Sequence, residues 1–134
     1  LALTLVDTSA WVEYLRVSES PADRALTSLI ANDDEVAVTE PVMMELLAGA
    51  RDPGARRNLK RLLVRFELLT FESTTDFAEA ASIYRSCRAV GHTPRNYVDC
   101  MIAAVALRND AQVLASDVDF ERISDATGMK LRAA

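Results

Sequence analysis

Histidine is almost missing from this chain: His92 is the only one among 134 residues. A mechanism that needs two imidazoles, one as acid and one as base, is excluded. His92 follows Gly91 and reads as a surface loop residue. The two cysteines, Cys87 and Cys100, form no Cys-x-x-Cys pair and cannot build a zinc site alone. They read as reduced core thiols, as in a cytoplasmic protein. Long apolar runs are also lacking. The longest, Cys100 to Leu107, falls far below the roughly 20 residues that cross a bilayer, so no membrane association is expected. The start, Leu1 to Ser9, has no basic segment and reaches an acid at Asp7, which does not fit a secretory signal. It also lacks Met, which leaves the native start open.

What is present is ordinary in bulk. The length predicts a single domain over residues 1–134 with a real core. Half the residues are hydrophobic and 26% are charged, as in folded proteins. The net charge is -5, which argues against a surface that is basic throughout. The cations are 13 Arg and only 2 Lys. Arginine favours bidentate phosphate binding, although codon bias in a GC-rich genome gives the same skew.

Apolar runs and capping signals alternate along the chain. Leu3–Val6, Val36–Val38, Leu68–Phe71 and Gln112–Ala115 read as buried strands, with Met129–Arg132 as a fifth. Between them lie helices. The first starts at the capping pair Thr8 and Ser9 and runs to about Val17; the second opens at Pro21. Others run from Thr39 to Gly49, from Pro53 to about Phe66, from Thr74 to Gly91 and from Pro94 to about Asn109, with a short one after Asp119. This order predicts an α/β fold, a three-layer α/β/α sandwich around a mostly parallel sheet of about five strands.

The acids are oddly placed within that order. Glu45 is the only polar residue of Val42–Ala48, and Asp99 the only one of Tyr97–Leu107 after its tyrosine. A helix apolar nearly all round is a buried one, and an ionised carboxylate there needs a cation. A thin exposed stripe or an arginine partner would satisfy each acid equally well. Asp7 ends the first strand, and Asp117 and Asp119 follow the fourth, where turn and capping roles are also common. Glu45 and Asp99 each lie about one turn from the start of a helix that begins at the C-terminal edge of the sheet. All of these carboxylates can therefore converge at one end, where open parallel sheets bind ligands. Converging carboxylates call for a hard divalent cation, Mg²⁺ or Mn²⁺, and the matching chemistry is metal-assisted phosphodiester hydrolysis.

Four motifs, Leu5-Val-Asp-Thr-Ser-Ala-Trp11, Met44-Glu-Leu-Leu-Ala-Gly49, Arg95-Asn-Tyr-Val-Asp-Cys-Met-Ile-Ala-Ala-Val-Ala-Leu107 and Ala115-Ser-Asp-Val-Asp-Phe120, occur in that order across essentially the whole chain. Together they resemble the PIN domain, specifically the VapC toxins of bacterial toxin–antitoxin pairs. The resemblance implies a Mg²⁺- or Mn²⁺-dependent endoribonuclease acting on tRNA or another structured RNA. It also implies a homodimer, inhibited by a VapB-type antitoxin and able to form larger toxin–antitoxin assemblies. By motif, Asp7, Glu45, Asp99 and Asp117 match the catalytic, metal-binding acids. Asp119 matches an acid that completes the site in some members. Thr8 and Ser9 match hydroxyl positions that touch metal or substrate, although helix capping explains them equally. Setting the five acids aside leaves acids and bases equal in number, so the negative total belongs to one site.

Two basic features stand beside the acids. Arg95, four residues before Asp99, shares its helical face and either contacts substrate phosphate or pairs with Asp99 or another site acid. On the helix from Pro53, Leu59, Leu62, Leu63 and Phe66 form one face, and Arg56, Arg57, Lys60, Arg61 and Arg65 form the other. That basic face fits an RNA track, an antitoxin dock or a solvated surface. Aromatics are too few to suggest a base-stacking platform. The rival readings are an acid-pocket phosphatase, a phospho-receiver and a non-enzymatic binding module. The first needs an acid where Ser9 stands, and the second needs one after the third strand, where Phe71-Glu72-Ser73 stands.

Overall fold

A computed structural model describes residues 2–134. Four short strands, β1 (Thr4–Val6), β2 (Val36–Val38), β3 (Glu67–Leu68) and β4 (Gln112–Leu114), form one sheet in the order β3-β2-β1-β4. Every pairing is parallel, with Leu5 opposite Ala37 on one side and Val113 on the other. Seven helices among the described residues cover it: α1 (Thr8–Leu15), α2 (Pro21–Ala31), α3 (Glu40–Gly49), α4 (Pro53–Leu63), α5 (Asp76–Ala89), α6 (Tyr97–Arg108) and α7 (Val118–Thr127). This is the expected α/β/α sandwich. β1 and β2 read as unbroken apolar runs because a central parallel strand is covered on both faces. Trp11, wholly buried on α1, packs against Tyr14 and Phe66, 5.8 and 5.3 Å between ring centres, and so joins α1 to the turn between α4 and β3.

The strand order decides where a site can form. The chain moves outward from β1 to β2 to β3, then returns to place β4 on the other side of β1. The crevice beyond the C-terminal ends of β1 and β4 is thus the switch point of the sheet. Asp7 leaves β1 into that crevice, and Ser116 and Asp117 leave β4 into it.

Several local expectations change. The fifth strand is reduced to a single parallel bridge, Leu131 to Val113. The third strand begins one residue early and lasts two residues, both exposed, because it is the sheet's edge. Thr8 and Ser9 do not cap α1; Asp7 does, accepting the Ser9 N–H. The helix after Pro94 starts only at Tyr97, capped by Asn96, so a loop carries Arg95. α3 is not buried all round: Met44 is exposed and Glu45 half-buried. α6 matches its pattern, with Asp99, Cys100 and Ile102–Ala106 all buried.

One ion pair was not legible in the sequence. Asp76, 1% exposed at the start of α5, receives both arms of Arg108 from the end of α6, at 3.0 and 2.8 Å. Arg108 also donates to the Thr70 carbonyl at 2.6 Å. Burial alone would raise the Asp76 pKa, but the guanidinium and the Glu72 N–H hold it below the usual carboxylate value. Arg108→Met should leave that carboxylate without its cation. We expect a loss of about 2 kcal/mol in urea denaturation, less than for a fully buried pair because Arg108 is partly solvated. A loss under about 0.5 kcal/mol would show the pair to be incidental.

Candidate active site

The switch point holds the acids. Asp7, the residue that follows buried β1, is 3% exposed, and its side chain caps α1. Its Oδ2 accepts from the Ser9 N–H at 3.0 Å and the Ser9 hydroxyl at 2.6 Å. Its Oδ1 is buried without any partner. Asp99, 5% exposed, sits in the first turn of α6, and its Oδ2 is likewise buried and unpartnered. Asp117 caps α7 and accepts the Asp119 N–H at 3.0 Å. Oxygens of Asp99, Asp117 and Asp119 lie within 4.8 Å of one another. Glu45 reaches the group from α3, and its Oε1 accepts from the Thr8 hydroxyl at 2.5 Å.

The electrostatics follow from this crowding. Burial raises the Asp99 pKa to about 7, helped by the charges of Asp7, Asp117, Asp119 and Glu45. Asp7 rises to about 6, chiefly through burial and despite its bonds to Ser9, with Glu45 adding to the rise. All five predicted acids are thus electrostatically joined, with Asp99 at the centre.

The basic and hydroxyl candidates divide. Ser9 and Thr8 hold carboxylates, and Ser9 also accepts the Ser116 N–H at 2.8 Å, which ties the start of α1 to the segment after β4. Arg95 pairs with Asp117 at 2.7 Å and Asp119 at 2.9 Å, not with Asp99. Its expected place on the face of Asp99's helix does not arise, because it precedes α6. A second arginine, Arg122, approaches Asp119 at 3.5 Å; its i,i+3 spacing was the available signal, unread because α7 was expected to be short. Arg57, Lys60 and Arg61 stand exposed on α4, and Arg56 half-buried donates to the Ala50 carbonyl. Among the described residues, none of the four has an acid partner, so the face is an uncompensated cation stripe. Beside it, Val12, Leu15, Leu46, Leu59 and Leu62 line an apolar groove between α1, α3 and α4 that ends at Thr8 and Glu45. Both cysteines are buried and free. Burial first, then Cys87 and Asp99, push the Cys100 thiol up to about 12, so no thiolate competes with the carboxylates.

The cluster's titration has a defined sign. Native Asp7 and Asp99 keep protons to about pH 6 and about 7, whereas the unfolded chain releases them near pH 4. The native state therefore binds more protons across that window, and metal-free stability falls as pH rises from about 4 to about 7. Asp99→Asn should flatten this slope and raise the melting temperature at pH 8 in EDTA. Asp76 acts in the opposite sense, below about pH 4, and is common to both proteins. Circular-dichroism melts between pH 5 and 8 give the comparison, and parallel slopes would reject the account.

The comparisons with known proteins agree with this geometry. The PIN domain model matches residues 4–126. Ribonuclease VapC11 of Mycobacterium tuberculosis is 39% identical over 129 residues, covering 96% of each chain. Two solved complexes share the fold: VapBC-1 from nontypeable Haemophilus influenzae, with TM-score 0.77, 17% identity and 98% and 97% coverage; and VapBC2 from Rickettsia felis bound to a promoter DNA fragment, with TM-score 0.76, 18% identity and 97% coverage of both chains. No helix among the described residues is long and apolar enough to cross a membrane. With its acids gathered at the sheet's switch point and 96% of its length matched, this chain belongs to the PIN-domain family of VapC ribonucleases.

Proposed function

We propose that this protein is the toxin of a VapBC-type pair: a metal-dependent endoribonuclease that hydrolyses phosphodiester bonds in a structured RNA such as tRNA and is inhibited by a VapB-type antitoxin. The observation that carries the metal reading is the pair of orphaned oxygens. Asp7 Oδ1 and Asp99 Oδ2 are buried without partners inside an acid cluster. Buried polar atoms are as a rule satisfied. The third exception among the described residues is the Trp11 Nε1–H, which cannot bind a cation, so the free lone pairs of these two carboxylate oxygens point to one. The donor set is all oxygen and strongly anionic, which fits Mg²⁺ or Mn²⁺. Asp7, Glu45, Asp99 and Asp117 would hold the ion, with Asp119 beside them. When bound, it supplies an activated water and charge neutralisation at the scissile phosphate.

The chain's own groups do the rest. The Ser9 and Thr8 hydroxyls orient Asp7 and Glu45, and both are engaged in doing so, which favours positioning over substrate contact. Arg56, Arg57 and Arg61 form a phosphate-binding stripe whose helix also walls the groove leading to Glu45. That groove is apolar enough to seat an antitoxin segment, which would reach the rim of the acids. A homodimer and a cytoplasmic setting complete the reading. The acid-pocket phosphatase and phospho-receiver alternatives are not favoured, given the PIN-domain match over most of the chain.

Asp7→Asn or Asp99→Asn should lower RNA cleavage by on the order of 10³-fold and relieve growth inhibition, with circular dichroism unchanged. Undiminished cleavage by both variants would falsify the metal-site reading. EDTA should stop cleavage and Mg²⁺ or Mn²⁺ restore it; full activity in EDTA rejects metal dependence. Replacing Arg56, Arg57 and Arg61 together by Ala should reduce the slope of log affinity against log salt by about 2, measured by RNA binding at graded ionic strength. An unchanged slope would assign the stripe to the antitoxin or to solvent.

A further inference from the structure

The five acids are not equivalent. Asp7 and Asp99 form an inner pair, each nine-tenths or more buried, each with an oxygen that meets no donor. Asp117, 28% exposed, and Asp119, as buried as the first two, form a second pair whose charges already have a cation. Arg95 Nη2 donates to Asp117 Oδ1 at 2.7 Å, and Arg95 Nε donates to Asp119 Oδ2 at 2.9 Å. One fork therefore spans two carboxylates that share a 4.8 Å neighbourhood with Asp99.

We propose that Arg95 is an internal counter-cation of the acid cluster, and that a divalent ion has to displace it from Asp117 and Asp119 to load fully. This rests on the metal reading given above and adds to it a competition within the chain. Three features support displacement over permanent attachment. Arg95 lies in the loop before α6, outside regular structure, so its retreat breaks no helix. Its side chain is 66% exposed, so the released guanidinium returns to water at small cost. Asp117 also keeps the Asp119 N–H, so its carboxylate stays oriented after the arginine leaves. The arginine and the ion share one electrostatic task, since each relieves repulsion among the same carboxylates, and the divalent ion with hard oxygen ligands does so more strongly.

The prediction is that losing Arg95 tightens metal binding. Titration calorimetry with Mn²⁺ at pH 8 and low ionic strength, on the full chain without antitoxin, should give an affinity about tenfold higher for Arg95→Ala than for the parent. Arg95→Lys, which keeps the charge and loses the two-armed fork, should fall between them. In EDTA, Arg95→Ala should melt below the parent, and the Mn²⁺-induced rise in melting temperature should be larger. Arg122→Ala, which removes only the long 3.5 Å contact to Asp119, should bind Mn²⁺ within about twofold of the parent. If Arg95→Ala fails to fold, Arg95→Gln serves in its place. A parent that binds no Mn²⁺ defeats the metal reading and this inference together. A parent that binds Mn²⁺ while the Arg95 variants bind it equally or more weakly overturns the competition and leaves the metal site standing.

Discussion

Like charges held together against their mutual repulsion are the constraint around which this molecule is organised. Asp7, Asp99, Asp117 and Asp119 meet where β1 and β4 end, with Glu45 at the rim, and the sheet order makes that meeting unavoidable. A core of buried strands and of α6 fixes the backbones, so the carboxylates cannot relax apart. The local architecture answers with donors. Ser9 supplies two bonds to Asp7, Thr8 one to Glu45, and Arg95 one each to Asp117 and Asp119. What these leave unanswered, the inner oxygens of Asp7 and Asp99, is the feature that makes the site chemically expectant rather than merely acidic.

The same arithmetic reconciles an acidic protein with a polyanionic substrate. Five of the acids are drawn into one crevice, two of them sharing Arg95, while α4 shows solvent a row of cations without acid partners among the described residues. A nucleic acid would meet that row first, since opposite charges attract over about a Debye length, roughly 10 Å in ordinary buffer. The apolar groove under the row connects it to Glu45, so one helix serves two surfaces: its leucines wall the groove and its arginines face outward.

Much of this was legible in the residues themselves. Asp99 declared itself as a lone acid in an otherwise apolar helix, and Asp7 as the stop to a strand; both proved buried. Motif order along the whole chain carried the family, which no single motif could. Boundaries were read less well where two signals compete. Thr8 and Ser9 look like caps, yet Asp7 precedes them and wins that role, freeing both hydroxyls for the carboxylates. The spacing of Arg95 and Asp99 reads as one helical face, but the extended Asn96 caps α6 and the helix starts after it, so Arg95 pairs with the other site acids, Asp117 and Asp119. The Arg108–Asp76 pair joins residues 32 apart, a distance that no local pattern reports.

The narrowness of the sheet has a bearing on assembly. β3, at one edge, offers only two residues, and the far edge at β4 is shielded where the Val113 N–H donates to the Lys130 carbonyl and the Arg132 N–H returns to Val113. Neither border presents the row of free backbone groups that lets sheets join side by side. A second chain is thereby steered to meet this one through helices, where side chains rather than peptide groups choose the partner. A sheet with one border cut short and the other covered by the chain's own end offers little hold for promiscuous strand exchange.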